Sequence, residues 1–371
     1  MYTPLNDDEL GKALRELRHS LNTNAELSWQ EEKTMQILAD FMQAHSDFQI
    51  VREQGYLYAC RRMGAHLPAI AFRADIDGIK GEHGGARHGC GHDGHMTIVA
   101  GLAAVFSRQE LMDKNIYLLF QPAEETGEGA YQIVQTDFIE RHNIKEIYGL
   151  HNIPGVEEHK IICKEGTFAC TSKGFTVSLV GKPSHAAYPE FGINPVYALA
   201  ELVSNLQQPI PAARGLVLCT IVHLNVGQKA FGTAASHGEL SMTLRAEYEQ
   251  DLEDLESKIK GITQEYAKQY GLQYSFTCCD EFPVTANDGE CVSKVEKACA
   301  ELGLGYELMQ KPMRWSEDFG YFTKRTRGAF FGVGAGLKHP QLHTAEYEFP
   351  DALIKTGLRM FCKLAEARLK E

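Results

Sequence analysis

The sequence predicts an α/β protein in which a mixed, largely parallel sheet flanked by helices is interrupted by a smaller α+β domain. The chain has 371 residues, a length that suits two domains better than one. In its first part, short apolar segments alternate with helical patterns, as in sheets built from strand–helix–strand units. After residue 172 the segments instead alternate apolar and polar residues, which is typical of half-buried strands.

The first part begins with two predicted helices over residues 8–45, both marked by apolar residues at helical spacing. Ser28, followed three residues later by Glu31, indicates a capping box at the start of the second helix. Buried strands are predicted at 69–77, 115–121 and 146–150. Acidic residues or histidine end each strand or follow it directly: Asp75 and Asp77, Glu124 and Glu125, and His151. Because α/β sheets place their binding sites at the carboxyl ends of strands, we expect these side chains to lie close together.

The segment Arg87–His95 concentrates groups that bind metal ions. Its nine residues include three histidines, one cysteine, one aspartate and three glycines. Cysteine and histidine are good ligands for Zn²⁺, and glycine permits the sharp bends that bring neighbouring side chains together. A helix capped by Asp93 is predicted to follow, and its N-terminus would favour the thiolate form of Cys90. His88 is interpreted as a loop residue, and His95 as either structural or functional.

Together, the strand ends and this segment predict a site for two metal ions. The contributing residues are Asp75, Asp77, Cys90, His92, Glu124, Glu125, His151 and His343. Paired cations can activate water and polarise the carbonyl group that the water attacks. Because Glu124 and Glu125 are neighbours, their side chains diverge, so that one can bind metal while the other acts as general base. Asp77 is interpreted as a residue that orients a ligand.

Composition narrows the class of partner and the cellular compartment. The net charge is −12 and there is no long basic run, which argues against nucleic acid or an anionic membrane as the main partner. The ten cysteines show no repeating framework, and the first eight residues do not resemble a secretory signal. A cytoplasmic chain with reduced cysteines is therefore expected. No segment is apolar enough over a sufficient length to span a bilayer.

The α+β domain is predicted at residues 173–282, inserted into a domain formed by 1–172 and 283–371. The inserted segment contains four predicted strands and two predicted helices. A segment of about this length is sufficient for an independent domain. After it, a strand at 326–334 rejoins the first sheet, and a helix at 352–370 completes the fold.

Five motifs of the first domain show a resemblance to a known family. They are Arg73–Asp77, His88–His95, Gln121–Glu125, Gly149–His151 and Leu342–His343. In this order they resemble the amidohydrolase branch of the aminoacylase/carboxypeptidase metallopeptidases. That branch includes N-acyl-amino-acid deacylases, hippurate hydrolases and indole-acetyl-amino-acid hydrolases. The similarity extends over nearly the whole chain and implies a catalytic domain for two metal ions, split by a lid domain.

The resemblance also implies roles for individual residues. Carried over by position, the metal ligands are Cys90, His92, Glu125, His151 and His343, and the general base is Glu124. Two divalent ions per subunit are implied, zinc or manganese first, with cobalt or nickel also allowed. Residues 181–189 resemble the lid motif whose histidine, here His185, reaches the substrate carbonyl. Arg245 stands at the position of the lid arginine and is a candidate for binding the substrate carboxylate, with a surface ion pair as the alternative.

The sequence departs from the family pattern mainly at expected substrate contacts. Asn22 and Asn24 replace the two histidines of the pattern His-x-His-Pro-Glu-Leu-Ser, Ile79-Lys80 replaces Leu-Pro, and the lid segment 232–235 reads Gly-Thr-Ala-Ala where Asn-Val-Ile-Pro is usual. All of the implied metal ligands are kept. The leading hypothesis is therefore a metal-dependent amidohydrolase of N-acyl-amino acids, forming a homodimer through the lid. The alternatives are a dipeptidase or aminopeptidase on the same scaffold, and a non-catalytic binding protein that keeps the fold.

Overall fold

The computed structural model describes residues 8–82, 84–109, 113–206 and 213–369. Within these ranges the helices are α1 (Asp8–Thr23), α2 (Glu32–His45), α3 (His92–Phe106), α4 (Gly129–Gln135), α5 (Phe138–Arg141), α6 (Val196–Leu206), α7 (Glu249–Tyr270), α8 (Gly289–Leu302), α9 (Gly320–Thr323) and α10 (Ala352–Glu366). The strands of the first half are β1 (Gln49–Glu53), β2 (Tyr56–Arg61), β3 (Ala69–Asp75), β4 (Ile79–Lys80), β5 (Ala86–Arg87), β6 (Asn115–Gln121), β7 (Ile144–Pro154), β8 (Ile161–Cys163) and β9 (Gly166–Ala169). The remaining strands are β10 (Thr171–Val180), β11 (Ser184–His185), β12 (Val217–Val226), β13 (Thr233–Ala234), β14 (His237–Ala246), β15 (Gln273–Phe282), β16 (Thr285–Asn287), β17 (Tyr306–Leu308) and β18 (Arg327–Gly336).

The described residues divide into two compact units. Unit 1 contains the described chain up to Phe168, the segment Thr285–Pro312 and the described chain from Asp318 onward. Unit 2 contains Ala169–Val284 and Met313–Glu317. The short second segment belongs to unit 2 because the Cys170 amide donates to two of its carbonyl oxygens at 3.2 Å. Whether unit 2 acts as a lid stays a prediction.

Unit 1 is built on an eight-stranded sheet in the order β1-β2-β6-β3-β7-β18-β8-β17. The four neighbouring strands β6, β3, β7 and β18 run parallel, while β1, β2 and β8 introduce antiparallel pairs. The predicted mixed, largely parallel sheet is therefore confirmed. The chain places β6 on one side of β3 and β7 on the other, so the order of strands reverses there. Sheets of this class bind ligands at the carboxyl ends of strands beside such a reversal.

Helix α3 packs against β3 and is buried along its whole length. The helix also packs closely against Phe349, which a small residue permits: a Cβ atom at Gly94 would lie 2.3 Å from the Phe349 ring. The helix begins at His92 after Gly91, whose φ of 92° places it in the left-handed region that favours glycine. Asp93 is therefore inside the first turn and is not the cap. The buried Arg18 accounts for this difference, because its guanidinium lies 3.3 Å from the Asp93 carboxylate.

Unit 2 is a four-stranded antiparallel sheet in the order β12-β14-β10-β15, with helices α6 and α7 on one face. Alternate residues of β10 and β14 point toward these helices, including Phe175, Val177, Leu240 and Met242. Period-two alternation of this kind predicts a sheet with one covered face, and the predicted four strands and two helices are confirmed. Among the described residues, no helix has both the length and the apolar composition needed to cross a bilayer.

Candidate metal centre

The predicted metal ligands of unit 1 come from four different segments at the carboxyl edge of the sheet. Cys90 and His92 lie at the start of α3, Glu125 follows β6, and His343 follows β18. His151 lies inside β7, which continues to Pro154 and does not end at residue 150 as predicted. The extension pairs with β18, where His151 stands opposite Gly332.

The ligand atoms of these residues converge. Three overlapping groups each have their ligand atoms within 4.8 Å of one another: Cys90, His92 and His151; Cys90, Glu125 and His343; and His92, Glu124 and Glu125. Cys90 Sγ lies 3.7 Å from His151 Nε2 and 3.2 Å from His343 Nε2. Two ligands bound to one Zn²⁺ at about 2.0–2.3 Å in a tetrahedron stand roughly 3.3–3.8 Å apart. The separations are therefore those of groups that could share a cation.

Two buried atoms in this cluster have no hydrogen-bond partner among the described residues. They are His92 Nε2 and Glu125 Oε1, which lie 3.8 Å apart. Buried polar atoms in proteins are normally hydrogen-bonded, so a pair of unpartnered ones needs an explanation. A divalent cation between them would provide it, and the mixed set of sulfur, nitrogen and oxygen donors suits borderline-soft ions such as Zn²⁺. The residues present fit the implied metal centre.

Asp77 connects two of the proposed ligands. Its backbone oxygen accepts a hydrogen bond from His92 Nδ1 at 2.9 Å, which leaves His92 Nε2 free to bind a cation. Its carboxylate accepts from the Glu125 amide at 3.0 Å and from the Ser28 hydroxyl at 2.8 Å. Such contacts fix the tautomer and orientation of a ligand. His151 is oriented in a similar way, because its Nδ1 donates to the backbone oxygen of Asn152 at 2.8 Å.

Behind the proposed ligands lies a buried polar network centred on Asp75 and His95. The His95 ring nitrogens lie 2.7 Å from Asp75 Oδ1 and 2.7 Å from Asn152 Oδ1. Burial alone would raise the pKa of Asp75, but His92, His95 and Arg73 hold it well below its usual range. His88, interpreted from sequence as a loop residue, is buried with neither ring nitrogen hydrogen-bonded to the described chain. Burial lowers the pKa of His88.

The ionisation of Cys90 differs from the expectation that the helix N-terminus alone favours a thiolate. Burial, followed by the charge of Glu125, raises the pKa of the Cys90 thiol to about 12. Burial also raises the pKa of Glu125 to about 7. In the absence of a cation, burial thus disfavours the charged forms of both proposed ligands, and Cys90 stays a neutral thiol at neutral pH. A bound cation reverses this preference, since thiols that bind metal are deprotonated.

This gives the first testable prediction. At neutral pH, Zn²⁺ binding to chelator-treated protein should release about one more proton per chain in the wild type than in Cys90→Ser, and the wild-type affinity should rise correspondingly more steeply with pH. Calorimetry in buffers of different ionisation enthalpy measures the proton count. The matched control is Cys163→Ser, because burial also raises the pKa of Cys163 to about 12 but it is not part of the ligand cluster. Equal proton release by wild type and Cys90→Ser would show that Cys90 is not a ligand.

The other two predicted site residues, His185 and Arg245, belong to unit 2. His185 is exposed in β11, where it pairs with Thr233 of β13. This pairing uses the segment 232–235, whose sequence departs from the family pattern. His185 Nδ1 accepts a hydrogen bond from the Ala187 amide at 3.0 Å. The proton of the neutral ring is therefore on Nε2, which is available as a donor.

Arg245 is half-buried on β14. Its Nη1 donates to the Ser316 hydroxyl at 2.5 Å, and that hydroxyl donates to Ser172 Oγ at 2.7 Å. Burial lowers the pKa of Arg245, and the nearby Arg314 guanidinium acts in the same direction. No carboxylate of the described chain pairs with Arg245, so the alternative of a surface ion pair finds no support. A partly buried guanidinium in this position is suited to binding an anionic group from outside the chain.

Comparisons with known proteins show the family to which the chain belongs. The model of Peptidase family M20/M25/M40 matches residues 71–367. The chain is 26% identical to a hippurate hydrolase from Campylobacter jejuni, over 98% of each chain. It is 27% identical to an N-acetyldiaminopimelate deacetylase from Exiguobacterium sibiricum, over 90% of this chain and 95% of that one.

A solved structure supports the fold. A dinuclear metal-binding peptidase of the M20 family from Bacillus subtilis superposes with a TM-score of 0.82, at 22% identity and over 97% of this chain and 98% of that one. The resemblance found in the motifs and the predicted fold class are both confirmed. The chain belongs to Peptidase family M20/M25/M40 and is a metal-dependent amidohydrolase.

Proposed function

We propose that the protein hydrolyses the amide bond of N-acyl-amino acids, releasing a carboxylate and a free amino acid. The observation that carries this proposal is the convergence of cysteine, histidine and glutamate ligand atoms with Glu124 beside them. The names of two relatives support the substrate class, since hippurate and N-acetyldiaminopimelate are both N-acyl-amino acids.

Five residues would hold the two divalent cations: Cys90, His92, Glu125, His151 and His343. Zinc suits this sulfur, nitrogen and oxygen donor set, and the family resemblance also allows manganese, cobalt or nickel. When bound, such cations polarise the amide carbonyl and lower the pKa of water. Asp77 would keep His92 and Glu125 in place through the hydrogen bonds described above.

Glu124 would carry the proton during hydrolysis. It is 6% exposed, and its Oε2 lies 4.0 Å from His92 Nε2, at the edge of the ligand cluster. In the proposed reaction, the Glu124 carboxylate takes a proton from the attacking water and returns it to the nitrogen of the departing amine. Positioned general bases of this kind contribute about 10²–10⁴-fold to turnover.

His185 would act on the substrate carbonyl oxygen. That oxygen gains negative charge as water adds to the carbonyl carbon, and a fixed donor stabilises it. Because the Ala187 amide donates to His185 Nδ1, the ring proton is on Nε2, where it can be donated to this oxygen. An exposed ring held by a strand pair is a suitable donor toward a bound substrate.

Arg245 would bind the substrate carboxylate. We expect Arg245→Met to raise the KM for an N-acyl-amino acid by about 10- to 10²-fold, with a smaller change in kcat, because a hydrogen-bonded charge pair is lost. The measurement compares each substrate with its neutral carboxamide, and the wild-type preference for the carboxylate should disappear in the variant. Arg214→Met, at a largely exposed arginine in the same unit, is the control. If Arg245→Met still prefers the carboxylate substrate over its carboxamide, Arg245 does not bind the substrate carboxylate.

The function itself is tested by a substrate panel. Chelator-treated protein is reloaded with each candidate metal and assayed on N-acyl-amino acids and on dipeptides with free amino groups. We expect hydrolysis of the acylated compounds. Faster hydrolysis of the dipeptides would favour a dipeptidase or aminopeptidase. Bound metal without hydrolysis of any amide would favour a binding protein.

We further propose that the protein forms a homodimer through unit 2. Strand β12 lies at an edge of its sheet and exposes Val222 and Leu224, and Tyr197 on α6 is also exposed. Exposed edge strands with apolar side chains readily pair with another chain. Sedimentation equilibrium should give twice the chain mass for the wild type and a shift toward the single chain mass for Val222→Lys. A wild-type monomer at micromolar concentration would contradict this proposal.

A cytoplasmic location is proposed from the state of the cysteines. None of the ten forms a disulfide, and seven of them are buried. Cys278 and Cys279 are adjacent and exposed, yet unpaired. Chains with many free thiols are typical of reducing compartments.

A further inference from the structure

The turn that carries Glu124 and Glu125 contains an unusual backbone conformation. Ala123, directly before Glu124, has a φ of 50° and is completely buried. A non-glycine residue adopts this left-handed region at a cost in free energy, and it persists only where the surroundings hold it. The surroundings of Ala123 therefore determine the direction in which the chain enters Glu124.

Glu31 provides the contact at this position. Sequence predicts it as the glutamate of a capping box for α2, but α2 begins at Glu32 and the Glu31 side chain does not cap it. Instead, Glu31 is 2% exposed and its Oε1 accepts a hydrogen bond from the Ala123 amide at 2.8 Å. The amides of Glu31 itself and of Trp29 also stabilise the charged carboxylate.

This arrangement is not explained by charge neutralisation. Glu31 pairs with no lysine, arginine or histidine of the described chain, so its buried carboxylate depends on the hydrogen bonds that it accepts from backbone amides. Burial raises the pKa of Glu31 to about 7. Among these amides is that of the left-handed Ala123, and this contact gives the buried carboxylate a specific structural task.

The turn is also fixed on the other side of Glu124. The Glu125 amide donates to Asp77 Oδ2 at 3.0 Å. On the preceding side, the Ala123 oxygen also accepts hydrogen bonds from the amides of Glu128 and Gly129. Glu31 and Asp77 thus attach the residues immediately before and after Glu124 to the core of unit 1. With both attachments in place, the backbone of Glu124 has little freedom to rotate.

We propose that Glu31 is a positioning residue, which directs the Glu124 carboxylate by holding Ala123 in its left-handed conformation. The inference rests on the proposed function of Glu124 as the base. Glu31 acts through the backbone of the turn and touches neither substrate nor the proposed metal ligands. A displacement of about 1 Å in a reacting group can reduce turnover on the order of 10²-fold.

The experiment compares four variants of the full chain after wild-type hydrolysis of an N-acyl-amino acid has been established. Glu31→Met should lower kcat about 10- to 10²-fold, while KM and bound metal per chain stay within about twofold of wild type. Glu31→Gln should lose less, about three- to tenfold, because its amide oxygen can still accept one hydrogen bond. Adding Ala123→Gly to Glu31→Met should recover most of the lost kcat, since glycine adopts the left-handed region without strain. The matched control is Glu32→Met, at the exposed neighbouring glutamate, with unchanged kcat.

Melting temperature and amide hydrogen exchange over residues 122–126 separate positioning from simple stabilisation. We expect the amide hydrogens of this turn to exchange faster in Glu31→Met than in the wild type, while the rest of the variant stays folded. If Glu31→Met does not fold, Glu31→Gln with and without Ala123→Gly gives the same comparison. Wild-type kcat in a folded Glu31 variant, or no recovery by Ala123→Gly, would overturn the proposal. An inactive wild type would instead contradict the proposed function and is detected before any variant is made.

Discussion

Glu124→Gln should keep its bound metal and lose about 10³-fold or more in kcat. The substitution preserves the size of the side chain but removes the group that takes a proton from water. The base and the water that it activates act as one unit, so loss of the base removes most of what both contribute to kcat. KM should change little, because Glu124 is proposed to contact neither the carboxylate nor the acyl group of the substrate.

The neighbouring residues provide the controls for this variant. Glu125→Gln should lose metal as well as activity, since Glu125 is a proposed ligand, whereas Glu128→Gln on the same turn is exposed and should retain both. Metal content is measured by elemental analysis, and kcat is measured with saturating metal. Full activity of Glu124→Gln would show that another group carries the proton. Loss of metal from this variant would show that Glu124 is a ligand.

Much of the metal centre could be predicted from sequence because its residues lie in short, recognisable segments. Cys90 and His92 are two residues apart in a glycine-rich turn, and Glu124 and Glu125 directly follow a buried apolar strand. Strand ends in a parallel sheet converge whatever the details of packing. Local patterns and sheet topology together were therefore sufficient to bring these groups to one edge.

The contacts that sequence did not predict join residues far apart in the chain. Asp93 pairs with Arg18 instead of capping α3, and Glu31 binds the Ala123 amide instead of capping α2. In both cases a capping residue was expected from local sequence, and a tertiary partner determined its contact. The left-handed Ala123 carries no sequence signal at all, because alanine gives no indication of such a conformation.

Burial accounts for a second kind of difference between the sequence-based predictions and the structure. A helix N-terminus stabilises a thiolate when the cysteine is partly solvated, but Cys90 is surrounded by protein and by the acidic side chains Glu125 and Asp75. Sequence gives the position of a residue relative to a helix and gives no measure of the surrounding charge. The same limit applies to His88, whose burial could not be read from a glycine-rich segment.

His185→Ala is expected to leave metal content and melting temperature unchanged and to slow turnover by about 10²-fold or more. Removal of one donor to a developing oxyanion typically has an effect of this size. The His185 ring is exposed and contacts Tyr188 with ring centroids 5.9 Å apart, so its loss should cost unit 2 little stability. The alternative is that His185 only packs within unit 2, in which case the variant would melt earlier and keep its kcat.

His237→Ala, at an exposed histidine in the same unit, is the matched control for this variant and should keep wild-type kcat. His185→Gln adds a second comparison, because its amide group can still donate a hydrogen bond and should lose less than alanine. The three variants are compared with wild type for metal content, melting temperature, KM and kcat on the same N-acyl-amino acid. A normal kcat in His185→Ala would exclude His185 from the reaction, since a donor to the oxyanion acts on the transition state and its removal must lower kcat.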